Sequence, residues 1–405
     1  MKKILHIIPY SNLYPPKNGG QLRCFHLMNE LSKHSLIDLV ILQDKFDFEK
    51  KGYRNNKIKI FSPDNLKKKP FFQKIIPAKF YNAIKYRIIT KSISGPANST
   101  VLEFYTIIKT LKNNKYDFVI FEHLETIKLS KIVKTLFPNA HLMLDAHNID
   151  HILLEQEQKA FPDKITVRRI KNTKKAETTL IQYVDTVLTC SLNDKNKLTK
   201  INSPLLKSFV VPNGVDLFEK KYDSNKNKHK IKNIIFCGSL DYSPNKEGLM
   251  WFYNEVFPLI LSKRSDIILF VIGIGGNDKV YNDLKKDKNV NFVGEVENVL
   301  SYYYASGLAI VPLKSGSGTR LKVLEAMSLG NPIVSTEVGA EGIEYCNGDD
   351  ILIANNNEDF ADGVIELLTN KNLFTRIQKS ANNLIQNKYS WSLIAQKLLS
   401  TLKNQ

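Results

Sequence analysis

Short apolar runs, partly β-branched, recur along this chain of 405 residues in two series, and each run is followed by polar, helix-compatible sequence. Ile4 to Pro9, Ile37 to Leu42, Phe118 to Phe121, His141 to Asp145 and Thr186 to Cys190 form the first series. Ile234 to Cys237, Ile267 to Ile272, Val290 to Val293, Ala309 to Leu313 and Ile333 to Thr336 form the second. A run without alternation suits a strand buried on both faces, and strands separated by helices pair in parallel with helices covering both sides of the sheet. Between the series, FVVP near Phe209 meets the turn signal Asn213-Gly214 and then the lysine-rich stretch FEKKYDSNKNKHKIK, which has no apolar period. The pattern predicts an α/β chain of two doubly wound, Rossmann-like domains in tandem, residues 1–210 and 211–388, with the interdomain cleft as the ligand site. Residues 389–405 supply a closing helix after Trp391 that is free to cross back to the first domain.

Composition narrows the class. Hydrophobic residues make up 43% and charged residues 24%, as in a globular protein. No apolar run approaches the roughly 20 residues that a membrane-spanning helix needs. MKKILHIIPYSN stops being apolar too early for a signal peptide, so a cytoplasmic location is expected. Cys24, Cys190, Cys237 and Cys346 are scattered and form no metal-ligand or redox pair, so neither metal nor cofactor is expected. The formal charge of +18 comes largely from lysines spread over many segments. No helix-turn-helix, zinc-finger or RNP-type signature accompanies them, so nucleic acid is not the expected partner. An anionic membrane surface fits better, and would place the protein peripherally on the inner face of the cytoplasmic membrane. Residues 70–92, PFFQKIIPAKFYNAIKYRIITKS, mix aromatic and basic residues in the manner of an interfacial helix. An ordinary surface helix packing its aromatics on the domain is the equal alternative.

The richest ligand signal is GSGTRLKVLEAMSLG, Gly316 to Gly330. It follows the strand LAIVPL and joins a glycine-rich turn to an apolar helix. Gly316 and Gly318 let backbone approach a ligand, and Ser317 or Thr319 can cap a helix whose first N–H groups face the same spot. Gly318, Lys322 and Glu325 follow the spacing of one helical face. Lys322, with Arg320 beside it, can neutralise phosphate, and Glu325 can accept two ribose hydroxyls. A solvated Lys and Glu on a capped amphipathic helix is the bland reading, but the helix is apolar on most of its circumference, and a carboxylate there needs a partner. Other loops point the same way. Gly19 and Gly20 open the helix after the first strand, with Arg23 close behind. DAHNID places Asp145, His147 and Asn148 at a strand's carboxyl end, and GSLDYSPNKEG puts Lys246 near a helix start. GIGGND from Gly273 lacks the spacing of a dinucleotide fingerprint.

In order, the GGQLR loop, DAHNID, VPNGVD, GSLDYSPNKEG, FVGEVENV, GSGTRLKVLEAMSLGNPIVSTEVGAEGI and YSW resemble the retaining glycosyltransferases of family 4, also called glycosyl transferases group 1, which have the GT-B fold. The resemblance implies a nucleotide-sugar donor, such as a UDP- or GDP-sugar, held mainly by the second domain. It also implies a glycan or lipid-linked acceptor held mainly by the first, and transfer with retention in surface polysaccharide or lipopolysaccharide synthesis. It assigns Glu325 to the donor ribose, Lys246, Arg320 and Lys322 to the diphosphate, His147 to the neighbourhood of the donor sugar, and Gly19 and Gly20 to a loop over the phosphates. Many members have an acidic residue where this chain has Ser317, and an arginine where it has Ser239 and Leu240. A nucleotide-sugar epimerase or hydrolase of the same fold, or a non-catalytic binding protein, is the alternative.

Overall fold

The computed structural model describes residues 1–10, 13–16, 18–42, 53–62, 101–160, 162–217, 232–316 and 318–403. The basic aromatic stretch 70–92 and Ser317 fall outside them. The chain divides into two compact units, Met1–Pro212 with Ala395–Gln405, and Asn213–Ile394.

In the first unit the described strands are β1 (Lys2–Ile8), β2 (Ser35–Ile41), β3 (Ile58–Phe61), β4 (Phe118–Glu122), β5 (His141–Ala146), β6 (Thr186–Thr189) and β7 (Lys207–Val210). All are parallel, in the order β3-β2-β1-β4-β5-β6-β7. The helices are α1 (Gly19–Ser32), α2 (Val101–Thr110), α3 (Ser130–Leu136), α4 (Asp150–Ala160), α5 (Lys164–Glu177) and α6 (Leu192–Ile201). Strand β3 lies outside the expected series, because IKIF is short and alternates with a lysine. Leu5 and Ile7 of β1, Val119 and Phe121 of β4, and Leu142 and Leu144 of β5 share one face and pack with Phe104, Ile107 and Ile108 of α2.

The second unit holds β8 (Asn233–Cys237), β9 (Ile268–Ile272), β10 (Val290–Gly294), β11 (Leu308–Val311), β12 (Ile333–Ser335) and the two-residue β13 (Leu352–Ile353), parallel in the order β10-β9-β8-β11-β12-β13. Its helices are α7 (Ser243–Trp251), α8 (Phe257–Lys263), α9 (Asn282–Lys286), α10 (Leu300–Tyr304), α11 (Leu321–Ser328), α12 (Asn357–Thr369) and α13 (Lys371–Leu384). Ile234 and Phe236 pack in one layer with Phe252, Phe257 and Phe360, while Ile235, Ala309 and Ile333 pack in the other with Val323, Leu324 and Met327 of α11. That is the period-two division of a sheet covered on both faces. The last helix, α14 (Trp391–Lys403), starts in the second unit and is grouped with the first from Ala395 onward.

In each sheet the order of connections reverses beside the first strand of the unit, between β1 and β4 and between β8 and β11. Loops leaving the carboxyl ends of two such strands diverge to opposite faces and open a crevice, so each unit has one place where a ligand meets many loop residues.

Candidate functional site

In the second unit that place is built by the loops after β8 and β11. Gly316 and Gly318 have φ of 114° and 83°, a left-handed backbone that glycine adopts without strain. This corrects one expectation: with Gly318 in that region the chain cannot yet be helical, so α11 begins at Leu321, and Arg320 stands at its cap position without a side-chain cap bond. Thr319 does not cap the helix; its backbone lies against Gly342, where an added Cβ would come within 2.9 Å of the Thr319 Cα. Gly318 accordingly stands before the helix rather than on its face. Lys322 and Glu325 remain on one side of α11, three residues apart.

Lys322 reaches back across the crevice to β8. Its Nζ donates to Asn245 Oδ1 at 2.8 Å, lies 5.1 Å from the Phe236 ring centre, and sits over Gly238, where a Cβ would fall 2.6 Å from it. Asn245, 5% exposed, is fixed in turn by donating to Ser239 O at 2.8 Å. Among the described residues no carboxylate lies within ion-pair distance of Lys322. Burial lowers its pKa to about 8, with Glu325 and the Cys237 thiol opposing and Arg320 adding to the fall. Glu325 is the mirror case: burial raises it to about 7, held back by a hydrogen bond from the Tyr303 hydroxyl and by Lys322. The site therefore holds a cation and a carboxylate that are both short of charge compensation near neutral pH, and each bonds to a neutral partner.

Arg320 is placed differently from its neighbour. Its Nε donates to Val338 O at 3.3 Å, its guanidinium is 4.0 Å from Glu341, and it packs beneath Gly316, whose missing Cβ leaves it room. It is 7% exposed, and burial lowers its pKa. The two side chains reach different partners, Arg320 the Val338–Glu341 turn and Lys322 the amide of Asn245 beside β8. Lys246, in the first turn of α7, donates to Asp278 at 2.9 Å and is half-exposed. Gly248 lets α7 lie against the exit of β11, since a Cβ there would sit 2.5 Å from Pro312 O. This contact keeps Asn245 and Lys246 beside the glycine loop.

The first unit concentrates its polar residues at the ends of β1, β4 and β5. Glu122, wholly buried, accepts from His6 Nε2 at 2.6 Å and from His147 Nε2 at 2.7 Å. Burial pushes this carboxyl up, but the two imidazoles outweigh that and hold it well below its usual range. The His147 ring stacks on that of His123 with centroids 3.9 Å apart, and His123, at φ 63°, hydrogen-bonds the Tyr10 hydroxyl. Arg23 and Asp145 form a buried bidentate pair, with Nε to Oδ2 at 2.9 Å and Nη2 to Oδ1 at 2.7 Å, and Arg23 Nη1 donates to Pro212 O at 3.1 Å. Gly19 opens α1, capped by Asn18, whose Oδ1 accepts from Gln21 N at 2.9 Å. At Gly20 the space left by the absent Cβ is taken by the Tyr10 hydroxyl, with His147 Nδ1 3.4 Å from where a Cβ would be. Gly20 is thus a packing requirement of the histidine cluster, and Gly19 alone stays at the open helix start.

Cys24, which sequence spacing gave no partner, lies with Glu122 and His147 so that three ligand-type atoms fall within 4.8 Å of one another. Burial and the neighbouring carboxylates hold its thiol well above its usual range, and both Glu122 oxygens already accept hydrogen bonds, so the three form a hydrogen-bonded cluster.

His6, Glu122, Asn245 and Tyr303 escaped the sequence reading. The first two carried a usable signal, a histidine inside KILHII and a glutamate closing FVIFE, since a charged or polar side chain in a doubly buried strand must have a partner. Asn245 and Tyr303 carried none.

Two parallel Rossmann-like sheets, each with its polar loops at a reversal of strand order, define the architecture of the GT-B glycosyltransferases. Residues 231–370 match the family described as glycosyl transferases group 1, so the second unit carries a domain of that family. A 44.6 kDa protein in the cps region of Klebsiella pneumoniae is 32% identical over 165 residues, which is 39% of this chain and 42% of that protein. The matched segment thus spans less than half the length of the curated relatives. Whole-chain likeness comes from solved structures. Sucrose-phosphate synthase from Thermosynechococcus elongatus has a TM-score of 0.70 at 15% identity, covering 100% of this chain and 99% of its own. Anabaena Alr3699/HepE, in complex with UDP and glucose, has a TM-score of 0.66 at 13% identity and covers 100% of each chain. At such identities the likeness is one of fold.

Proposed function

We propose that this chain is a retaining, metal-independent glycosyltransferase of family 4. It would move a sugar from a nucleoside-diphosphate donor to a glycan or lipid-linked acceptor, working peripherally on the cytoplasmic face of the membrane. The observation that carries the reading is Lys322, an ammonium held by neutral Asn245 over the bare backbone of Gly238, with the Glu325 carboxyl three residues further along the same helix. A diphosphate supplies the charge that Lys322 lacks, and a ribose supplies hydroxyl donors to Glu325. A solved structure of the same fold supports the donor class, since HepE has been obtained with UDP-glucose. The cps-region relative supports a role in surface polysaccharide synthesis.

In this reading the leaving group is a nucleoside diphosphate, and catalysis consists of stabilising its charge as the glycosidic bond breaks. Lys322 acts directly on the diphosphate, Lys246 joins it when released from Asp278, and Arg320 fixes the loop through Gly316. Within the first unit, Glu122 holds His147 in one orientation, and Gly19 stands at the start of α1, whose free N–H groups suit an anion. The Glu122 carboxylate holds the His147 ring through Nε2 and so fixes the direction in which Nδ1 faces.

The test is a thermal-shift screen of nucleoside diphosphates and nucleotide sugars, followed by transfer with the best donor. Glu325→Ala should abolish transfer while the protein stays folded. Unchanged turnover with a correct donor would overturn the assignment, and rapid release of nucleotide from donor alone would point to a hydrolase or epimerase instead.

A further inference from the structure

A second charged surface stands apart from the nucleotide site, on α5. Its sequence, KITVRRIKNTKKAE, buries Thr166, Thr173, Ala176 and Glu177 against the unit. At 3.6 residues per turn, Lys164, Arg168, Lys171, Lys174 and Lys175 fall within an arc of about 120° on the opposite side. All five are exposed, and none has an ion pair among the described residues. Arg169 lies off this stripe, near Asp150 and Asp163. The Asp163 carboxylate is turned onto the N–H groups of Ile165 and Thr166 as the helix cap, and makes no ion pair with the stripe among the described residues.

The hairpin of α4 and α5 fixes where this surface points. Glu177, at the end of α5, accepts from Asp150 N at 2.7 Å and bonds the His151 ring, so the helix is tied to the start of α4 beside the strand ends. The other end of the hairpin, where α5 begins, then lies about 16 Å farther out, the length of α4. Two β-branched apolar side chains stand at that outer end, Ile165 at 74% and Val167 at 53% exposure. A surface of five uncompensated cations with exposed aliphatic groups at its tip has the composition of an interfacial helix.

We propose that the outer face of α5 is a docking surface for an anionic lipid bilayer, with the five cations on the headgroups and Ile165 and Val167 entering the interface. The inference rests on the proposed lipid-linked acceptor for its purpose. Its test reads lipid binding alone, so sugar transfer can fail while the surface stands, and the reverse.

The experiment is flotation of the full chain with vesicles of phosphatidylcholine, with and without phosphatidylglycerol. The protein should float only with the anionic vesicles and should be released by high salt. Each headgroup cation contributes roughly fivefold to partitioning, so Arg168→Gln, Lys171→Gln and Lys175→Gln together should lower it about 100-fold. Ile165→Ser with Val167→Ser, leaving every charge in place, should lower it roughly tenfold. Lys279→Gln, Lys286→Gln and Lys388→Gln, in the second unit, should change it little. Because the three α5 positions are exposed, their melting curve and nucleotide-induced thermal shift should match wild type. Failure of the wild-type chain to bind anionic vesicles overturns the proposal. So does undiminished binding of the triple α5 variant, which would move the membrane contact elsewhere. Displacement of the bound chain from vesicles by stoichiometric duplex RNA would assign the stripe to nucleic acid and equally overturn it.

Discussion

The two sheet crevices hold opposite electrostatic arrangements. In the first unit the buried charges have partners inside the protein: Arg23 pairs with Asp145, and the Glu122 carboxylate is hydrogen-bonded by His6 and His147. In the second, Lys322 donates to the amide of Asn245 and Glu325 accepts from the Tyr303 hydroxyl, and among the described residues neither has an ion pair. Buried charges that already have partners form a rigid frame that holds groups in place, whereas a cation and a carboxylate bonded to neutral groups in one crevice are half of an interaction whose other half arrives with a ligand. The comparison teaches where binding energy is to be found. The first crevice should repay mutation mainly in stability, and the second mainly in affinity.

The largest effect expected is at Arg23. Arg23→Ala leaves Asp145 charged and buried, which costs about 3–5 kcal/mol, while replacing both partners by apolar residues of similar size should recover much of that. The two units make the result readable. Both tryptophans, Trp251 and Trp391, lie in Asn213–Ile394, so their fluorescence follows the second unit and far-UV circular dichroism follows both. Under urea, Arg23→Ala should bring forward the dichroism transition and leave the tryptophan transition nearly where it was. A loss of stability below about 1 kcal/mol would break the contrast between the crevices.

Lys322→Met is the opposite experiment. Removing a charge-assisted hydrogen bond to phosphate costs about 1.5–3 kcal/mol, so the dissociation constant for nucleoside diphosphate should rise roughly 10- to 100-fold. Without ligand, the variant should melt at the same temperature or higher, because it no longer buries an uncompensated ammonium. If ligand-free stability falls as far as in Arg23→Ala, the ammonium is structural and the comparison fails.

How far these sites can be read from sequence follows the same division. Apolar runs betray parallel strands because both faces are buried, and Lys322 and Glu325 stand out because one helix carries them beside a glycine turn. Strand β3 was hidden by its alternating lysine, and β13 by having two residues. Sequence places the start of α11 too early, with Ser317 or Thr319 as its cap, because capping residues are visible in a sequence, while the left-handed backbone at Gly318 is not. The partners were the hardest to see. Asn245 comes to Lys322 from 77 positions away, and Glu122 to His6 from 116, through a sheet order that no local pattern encodes. Gly20 reads as a ligand glycine for the same reason: only the fold brings Tyr10 over it.

Titration sharpens the comparison with a smaller effect. Glu325, raised to about 7, accepts ribose hydroxyls best when ionised, so nucleotide affinity should climb as pH rises through about 7. Lys322, lowered to about 8, loses its charge above that point, so affinity should fall again. Calorimetric titration with nucleoside diphosphate should give a maximum between the two values, changing up to tenfold per pH unit outside it, and the apparent values belong to the pair because the groups interact. Glu325→Gln should abolish the acid limb and leave the alkaline one. A flat profile would mean that the second crevice is as well compensated as the first.

The smallest effect expected is at Lys246, which tests whether exposure cancels the contrast. Its bond to Asp278 joins two side chains that are 37% and 46% exposed, so solvent screens the pair and Lys246→Ala should cost less than about 1 kcal/mol of stability. The same exposure leaves Lys246 free to swing to a diphosphate, but only by giving up Asp278. Asp278→Asn removes that competitor, and should tighten nucleotide binding slightly, by about threefold or less, in isothermal titration. If Asp278→Asn weakens binding instead, Asp278 holds Lys246 in its working position, and the pair belongs with the matched charges of the first crevice.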